Sequence, residues 1–115
     1  MTAKPAVDKE TLRLIKQIIL EESGKLGVKV EKIILFGSRA RGDYREDSDY
    51  DILIIVKGKI DRATKHLLSA RISLRVARQL LIPVDIIVTT KERWREYADV
   101  IGTIEEVAAN EGIPV

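Results

Sequence analysis

The sequence has 115 residues, the size of one domain, and we expect residues 1–115 to form a single unit around one core. It has no cysteine, which excludes disulfides and zinc–thiolate sites, and its one histidine, His66, leaves little scope for a histidine-based metal site or catalytic triad. The formal net charge of +2 is too small to indicate nucleic-acid binding by itself. Because no apolar run has the length of a membrane span and no apolar signal core opens the chain, we expect a soluble cytoplasmic protein.

The composition is also rich in charge and poor in amides. Charged residues make up 33% of the chain, and the amide side chains are those of Asn110, Gln17 and Gln79 alone. Many charges with few thermolabile amides are typical of thermophilic proteins. We therefore expect a melting temperature above the mesophilic range of about 45–65 °C.

The first predicted element is a helix over residues 8–25. Its apolar residues recur at helical spacing, and they are Leu12, Ile15, Ile18, Ile19 and Leu26. Asp8 can cap the first turn, and Val7 can pack onto Leu12 across that cap. These signals together predict an amphipathic helix.

Two strands, a long helix and a third strand follow. Runs rich in Ile, Leu and Val predict strands over residues 30–36 and 50–57. Asp61 can cap a helix that continues to about Leu81, and residues 84–88 form the third apolar run. A helix of that length can cross over between parallel strands. We therefore expect the second and third strands to be parallel and the first to be antiparallel to the second.

Two short helices are predicted towards the C-terminus. Thr89 with Glu92 forms a candidate capping box for a helix that starts near Lys91, and Thr103 with Glu106 starts a last helix. The order of elements predicts an α/β (α+β) fold, in which helices pack on a small mixed β-sheet.

The predicted helix over residues 61–81 has two apolar faces with a basic stripe between them. One face is Leu67, Leu74 and Leu81, the other is Leu68, Ile72 and Val76, and the stripe is Arg71, Arg75 and Arg78. We expect one apolar face to cover the sheet and the other to pack either on the terminal helices or on a partner. Packing within the chain is the favoured alternative, because a small chain has few places to leave a leucine face exposed. The arginines are expected to form a solvated ridge.

Three carboxylates are expected at one rim of the sheet. Asp49 and Asp51 are two residues apart on a predicted strand, so their side chains point to one face. Asp85 lies on the neighbouring strand, inside an otherwise apolar run. Close carboxylates repel one another and attract a cation, and their hard oxygens suit magnesium. Two such ions could clamp the attacking and leaving oxygens of a phosphoryl transfer.

The turn after the first strand is suited to an anion. Gly37 lets a phosphate approach the backbone, because it has no Cβ. Ser38 adds a hydroxyl donor and can begin a short helix. Arg39 and Arg41 can neutralise phosphate charge, and Gly42 lets the chain turn away.

Each of these pieces has a plainer interpretation when it is taken alone. An isolated Asp-x-Asp or Gly-Ser pair is most often a solvated turn, and lone arginines are most often surface residues. Asp85 alone could cap a helix or pair with an arginine. Their occurrence together at strand ends favours a site for a polyphosphate and its metal ions.

A family resemblance is carried by two segments, Gly37-Ser38-Arg39-Ala40-Arg41-Gly42 and Ser48-Asp49-Tyr50-Asp51-Ile52. They resemble the pattern of the small "minimal" nucleotidyltransferases of the DNA polymerase beta superfamily, which is Gly-Ser-x-Ala-Arg-Gly, a short spacer, Ser-Asp-x-Asp and an apolar strand. The third carboxylate of that family, on a later strand, matches Asp85. Ile52 stands where the family usually has leucine, which has no evident chemical consequence.

The resemblance implies a magnesium-dependent nucleotidyltransferase. Asp49 and Asp51 would hold two Mg²⁺ ions, and Asp85 would complete one metal site and help to activate an acceptor hydroxyl. The implied nucleotide-binding residues are Gly37, Ser38 and Arg41. The acceptor oxygen would attack the α-phosphorus of a nucleotide and pyrophosphate would leave, with AMP from ATP as the expected transfer.

The resemblance also implies a partner. Small relatives are often encoded beside a helical HEPN-domain protein, as the antitoxin of a ribonuclease toxin, so the expected acceptor is a tyrosine of such a partner. Two alternatives stay open. One is a non-catalytic antitoxin that acts by binding alone. The other is a nucleotidyltransferase for a small molecule such as an aminoglycoside, acting from a site shared across a homo-oligomer such as a homodimer. A nucleic-acid-binding module is the weakest interpretation at a net charge of +2.

Overall fold

The structure, a computed structural model, describes residues 8–115. The helices are α1 (Lys9–Lys25), α2 (Ser38–Arg41), α3 (Arg62–Leu80), α4 (Lys91–Tyr97) and α5 (Ile104–Glu111). The strands are β1 (Val30–Phe36), β2 (Tyr50–Val56), β3 (Val84–Thr90) and β4 (Ile113–Pro114). The expected contact of Val7 with Leu12 lies outside the described residues. In the described part of the chain, no helix combines the length and the apolar character that crossing a bilayer requires.

The four strands form one mixed sheet in the order β3-β2-β1-β4. β2 and β3 are parallel and are joined by the α3 crossover, whereas β1 is antiparallel to β2. The predicted fold class and strand directions are therefore confirmed. β4 was not predicted, because two residues are too few to give a strand pattern. Its Pro114 is tolerated since β4 lies at the edge of the sheet, where a missing N–H leaves no ladder bond unmade.

Helices cover both faces of the sheet. On one face α1 and α3 contribute Ile15, Ile19 and Ile72, which are fully buried. On the other face α4 and α5 cover a smaller cluster that includes Phe36 and Leu53. The alternation of side chains along β1 and β2 supplies both cores, so strands buried on two sides appear in the sequence as continuous apolar runs.

The helix caps agree with the sequence in three cases and differ in one. The confirmed caps are Asp8, Asp61 and Thr103, whose side chains each accept an N–H from the first turn. For α4 the cap is Thr90, which accepts the Arg93 N–H, and the prediction of Thr89 is wrong. β3 continues to Thr90, so Thr89 is buried instead, and its hydroxyl donates to Glu105 at 2.7 Å.

The expectation that both apolar faces of α3 pack within the chain is also wrong. Leu68, Ile72 and Val76 are fully buried against the sheet. On the opposite face Leu67 and Leu74 remain about half exposed, and Leu81 is almost fully exposed. The sheet and α1 contact only the inner side of α3, so no described element is left to cover the outer leucines.

The basic stripe of α3 is partly an interhelical ion-pair cluster, which corrects the expected solvated ridge. Arg71 and Arg75 donate to the buried carboxylate of Glu22 at 2.8 and 2.9 Å, and Arg75 also bonds Glu21. Lys25, Arg71 and Arg75 lower the pKa of Glu22 to about 2 against the opposing effect of burial. The cluster therefore joins α1 to α3 through charged groups as well as through the core.

Candidate active site

The rim predicted from the sequence is present in the structure. β1 ends where β2 and β3 begin, and Asp51 lies opposite Phe36 on one side and Asp85 on the other. Asp49 directly precedes β2. The Tyr50 N–H donates to the Pro83 carbonyl at 3.1 Å, which ties the starts of β2 and β3 together. The sheet register therefore places Asp51 and Asp85 side by side.

The carboxylates at this rim interact electrostatically. Asp51 is half-buried, and burial, followed by the charges of Asp85 and Asp49, raises the pKa of its carboxyl group, while the Arg41 charge opposes the increase. Like charges in a partly desolvated site destabilise one another unless a cation is added. The rim therefore favours a bound cation.

Gly37 is required at the end of β1 for two reasons. Its φ is +74°, a conformation that L side chains rarely adopt. A Cβ at this position would also lie 2.1 Å from Asp51 Oδ2, so the backbone of Gly37 contacts the Asp51 side chain directly. The glycine thus brings a backbone amide close to the carboxylate rim.

A single helical turn follows Gly37. The Gly37 carbonyl accepts from the amides of Ala40 and Arg41, and Gly42 ends the turn with a φ of +87°. Ser38 is the first residue of this turn and is half-buried. The sequence prediction of a Gly-Ser turn with a short helix is therefore confirmed as local structure.

Arg39 has a structural role here, which differs from its expected place among the phosphate ligands. Its guanidinium group donates to the Ser48 and Glu46 carbonyls at 3.0–3.2 Å. It also stacks on the rings of Tyr44 and Tyr50, with 4.1 and 4.5 Å from Cζ to the ring centroids. Arg39 thus fixes the loop that carries the chain from α2 back to Asp49.

Glu111, at the end of α5, is a site residue that the sequence did not indicate. Its carboxylate accepts the Gly37 N–H at 2.8 Å and the Arg41 guanidinium at 3.0 and 3.1 Å. Arg41 also bonds Asp43. Since Gly37 and Arg41 are predicted phosphate ligands, the Glu111 carboxylate occupies donors that a phosphate would use.

The position of Glu111 depends on β4. Ile113 and Pro114 pair with Leu35 and Ile34 of β1, which draws the end of α5 towards the end of that strand. A two-residue strand has no periodic pattern, so no local signal in the sequence could place Glu111 at the rim.

The residues present suit a metal ion by their chemistry. Carboxylate oxygens are the ligands that Mg²⁺ prefers, and Asp49, Asp51 and Asp85 interact electrostatically at the rim. Between residues 8 and 115, however, no three His, Cys, Asp or Glu side chains are gathered into a group that could hold a metal ion as they stand. Holding an ion would therefore require these side chains to converge further.

Comparison with known proteins gives the family. Residues 12–109 match the family described as nucleotidyltransferase domain, and this match covers most of the chain. The chain belongs to this family. The resemblance found in residues 37–52 is therefore confirmed over nearly the whole length of the domain.

Individual relatives of this nucleotidyltransferase domain agree with the family match. The "Putative protein adenylyltransferase MJ0141" of Methanocaldococcus jannaschii is 50% identical over 48 residues, which are 42% of this chain and 48% of that protein. The chain thus matches about half the length of this curated relative. A solved "putative minimal nucleotidyltransferase" is 30% identical, the match covers 92% of this chain and 94% of that chain, and the TM-score is 0.58.

Two solved toxin–antitoxin structures share the fold at lower identity. An MntA–HpeT assembly is 17% identical over 89% of this chain and 69% of the other, with a TM-score of 0.58. A toxin–antitoxin with AMP-PNP is 21% identical over 86% and 70%, with a TM-score of 0.56. At these identities the likeness shows the fold alone.

Proposed function

We propose that this domain transfers a nucleoside monophosphate, AMP from ATP, onto a hydroxyl acceptor in a magnesium-dependent reaction. The observation that carries the proposal is the pairing of Asp51 with Asp85 directly beside the Gly37 turn. This arrangement puts a cation-attracting rim next to an anion-binding backbone. Membership of the nucleotidyltransferase family supports it.

Each polar group of the rim has a role in this proposal. Asp49, Asp51 and Asp85 would hold two Mg²⁺ ions, which when bound neutralise the phosphate charge that develops during transfer. Gly37 and Ser38 would bind the triphosphate, and Arg41 would support them. The Gly37 N–H and the Arg41 guanidinium, which these roles require, donate to the Glu111 carboxylate in this structure. We therefore propose that Glu111 moves away when the nucleotide binds.

The chemical step follows from these roles. The acceptor oxygen forms a bond to the α-phosphorus, the bond from that phosphorus to the β-bridging oxygen breaks, and pyrophosphate leaves. The acceptor proton passes to Asp85, which is exposed at the rim and can be reached from outside. Positioning and charge neutralisation supply the acceleration, as in other phosphoryl transfers.

The acceptor we propose is a tyrosine of a HEPN-domain partner, modified by this domain as an antitoxin in the cytoplasm. Two observations support a protein acceptor. The curated relative is named as a protein adenylyltransferase, and the toxin–antitoxin structures share the fold.

The test is a transfer assay with ATP labelled at the α- or the γ-phosphate. The full chain, Mg²⁺ and a HEPN-domain protein from the same genome are incubated, and the partner's tyrosines are mapped by mass spectrometry. We expect the α-label, but not the γ-label, on the partner. Asp51→Asn should reduce transfer at least about a hundredfold, as loss of a metal ligand does. Asp47→Asn, an exposed carboxylate of the same loop, is the matched control and should retain activity.

A second candidate is an antitoxin that acts by binding alone. One observation favours it: the Glu111 carboxylate satisfies the Gly37 amide and contacts Arg41, the donors that a nucleotide would otherwise use. An Asp49→Ala, Asp51→Ala double variant separates the two candidates. Full neutralisation of the toxin by this variant would favour binding alone and contradict the transfer proposal. Label on an aminoglycoside without any protein partner would instead favour the small-molecule alternative.

A further inference from the structure

The outer face of α3 carries an apolar seam that the fold does not use. Its members are all exposed, and they are Ala63, Leu67, Ala70, Leu74, Ala77 and Leu81. They recur at spacings of four and three residues and alternate between alanine and leucine, which is the pattern of a helix that packs along another helix. The α3 seam is about 27 Å long at 1.5 Å per residue. It lies opposite the side of α3 that covers the sheet.

The seam ends at a residue whose backbone conformation favours glycine. Leu81 has a φ of +57° and is the one non-glycine residue with a positive φ among residues 8–115. Its side chain is 85% exposed, so it buries little against this chain. Glycine would adopt the same conformation with less strain. Leu81 is the left-handed C-cap of α3, where its N–H donates to the Ala77 carbonyl, so the backbone conformation ends the helix while the side chain extends the exposed seam.

The charges beside the seam distinguish its possible occupants. α3 carries five Arg and Lys residues and no acidic residue along its length. Arg71 and Arg75 are paired with α1, but Arg78, one turn from both Leu74 and Leu81, has no acidic partner among the described residues. A second copy of α3 would bring no carboxylate to Arg78 in either orientation. A helix with glutamates beside its apolar face would bring one.

The position of the seam relates it to the candidate active site. α3 leads through Pro83 into β3, and Leu81 lies only four residues before Asp85. A helix lying along the seam would therefore have one end beside the carboxylate rim.

We propose that the α3 seam binds an amphipathic helix of another protein, one with an apolar heptad face and acidic flanks, and presents that protein to the rim as acceptor. Presentation of an acceptor to the rim rests on the proposed function. Docking of the helix on the seam does not, since it needs neither nucleotide nor metal. The inner faces of α1 and α3 are already buried, so docking requires no rearrangement of the core.

Docking is tested with designed helical peptides and the full chain, without ATP or magnesium. The first peptide has three heptads with leucine and alanine in the apolar seam and glutamate at the flanking positions, and the second has lysine at those flanks. Fluorescence anisotropy should show the glutamate peptide binding at least about tenfold more tightly than the lysine peptide at low salt. Leu74→Glu should abolish binding of both.

Two control variants test whether peptide binding depends on the seam and on its charge. Ile101→Glu makes the same kind of change at an exposed apolar residue between α4 and α5, on the other face of the sheet, and should bind like the native chain. Arg78→Glu should reverse the preference between the two peptides. Thermal unfolding of Leu74→Glu checks that its fold is intact, because Leu74 is about half exposed.

Three outcomes would overturn the proposal. They are no binding of the glutamate peptide, equal binding of both peptides, and a dimer of the native chain in sedimentation that Leu74→Glu dissociates. The last would make a second copy the occupant. Because ATP is absent, none of these outcomes bears on whether the rim transfers nucleotides, and an inactive rim would leave the docking result unchanged.

Discussion

At the residue scale, Glu111 is the side chain that occupies the donors proposed to bind phosphate. Its carboxylate holds the Gly37 amide and contacts Arg41, both of which the triphosphate would use. Its charge also adds to the effects that raise the pKa of Asp51. A negative charge at this position therefore opposes an incoming polyphosphate.

Glu111→Gln should tighten ATP binding. Glutamine keeps an oxygen to accept from Gly37 but removes the charge, so we expect the Kd to fall about fivefold, or about 1 kcal/mol. Isothermal titration calorimetry with Mg²⁺ and a non-hydrolysable ATP analogue measures this Kd. Glu96→Gln, an exposed glutamate of α4, is the control for the change in net charge. Unchanged or weaker binding in Glu111→Gln would show that the carboxylate does not compete with the nucleotide.

Gly37→Ala should destabilise the chain and abolish nucleotide binding. The added Cβ would meet Asp51 Oδ2 at 2.1 Å and would require a φ of +74°. Gly58 has the same φ of +74° but open space around it, so Gly58→Ala reports the backbone strain alone. We expect a loss of about 1 kcal/mol for Gly58→Ala and about 3 kcal/mol for Gly37→Ala in denaturant unfolding. Equal losses would mean that the contact with Asp51 is unimportant.

The sequence could predict some of these site residues and not others. Asp49, Asp51 and Asp85 could be predicted because they interrupt apolar runs, and the directions of those strands follow from the α3 crossover. The role of Arg39 depends on where the loop to Asp49 turns back, and that of Glu111 depends on β4. Both are set by tertiary contacts that leave no local pattern.

At the scale of elements, α1 and α3 are joined by one buried carboxylate. The Glu22 carboxylate accepts hydrogen bonds from Lys25 of its own helix and from Arg71 and Arg75 of α3. These bonds lower its pKa from 4.5 to about 2. A carboxyl group whose pKa is lowered by folding stabilises the folded state above its unfolded pKa. That contribution is lost as the pH falls from about 4.5 through about 2.

The pH dependence gives a prediction for the α1–α3 contact. The free energy of unfolding of the native chain should fall between pH 4.5 and pH 2, and the fall should be smaller in Glu22→Gln. At pH 7 the variant should lose about 2 kcal/mol, the order expected for charge-assisted hydrogen bonds to a buried group. Glu21→Gln removes a more exposed partner of Arg75 and should cost less. Parallel stability curves for Glu22→Gln and the native chain from pH 2 to 7 would contradict this account.

Most elements follow from the sequence, and the exceptions have physical causes. Apolar runs locate β1, β2 and β3, and the caps Asp61 and Thr103 locate α3 and α5. The cap of α4 was misplaced by one residue because β3 continues to Thr90 and buries Thr89. The exposed leucines of α3 could not be assigned, since helical spacing identifies an apolar face but not what covers it.

At the scale of the whole molecule, two surfaces with different chemistry meet at one end of the sheet. The rim of Asp49, Asp51 and Asp85 attracts cations, and the α3 seam beside it is apolar with basic flanks. The net charge of +2 conceals this separation, which appears only when the chain is folded. In the proposed function the rim would bind the nucleotide, and the seam would bring a protein acceptor to it.

The central claim is that the rim binds a metal-bound nucleotide, and a crystal structure of the full chain with Mg²⁺ and α,β-methylene-ATP tests it most directly. The account predicts metal on Asp49 and Asp51, triphosphate against Gly37 and Ser38, and the Glu111 carboxylate displaced from the Gly37 amide. Metal bound away from Asp49 and Asp51, or a nucleotide bound elsewhere while Glu111 still holds Gly37, would contradict it.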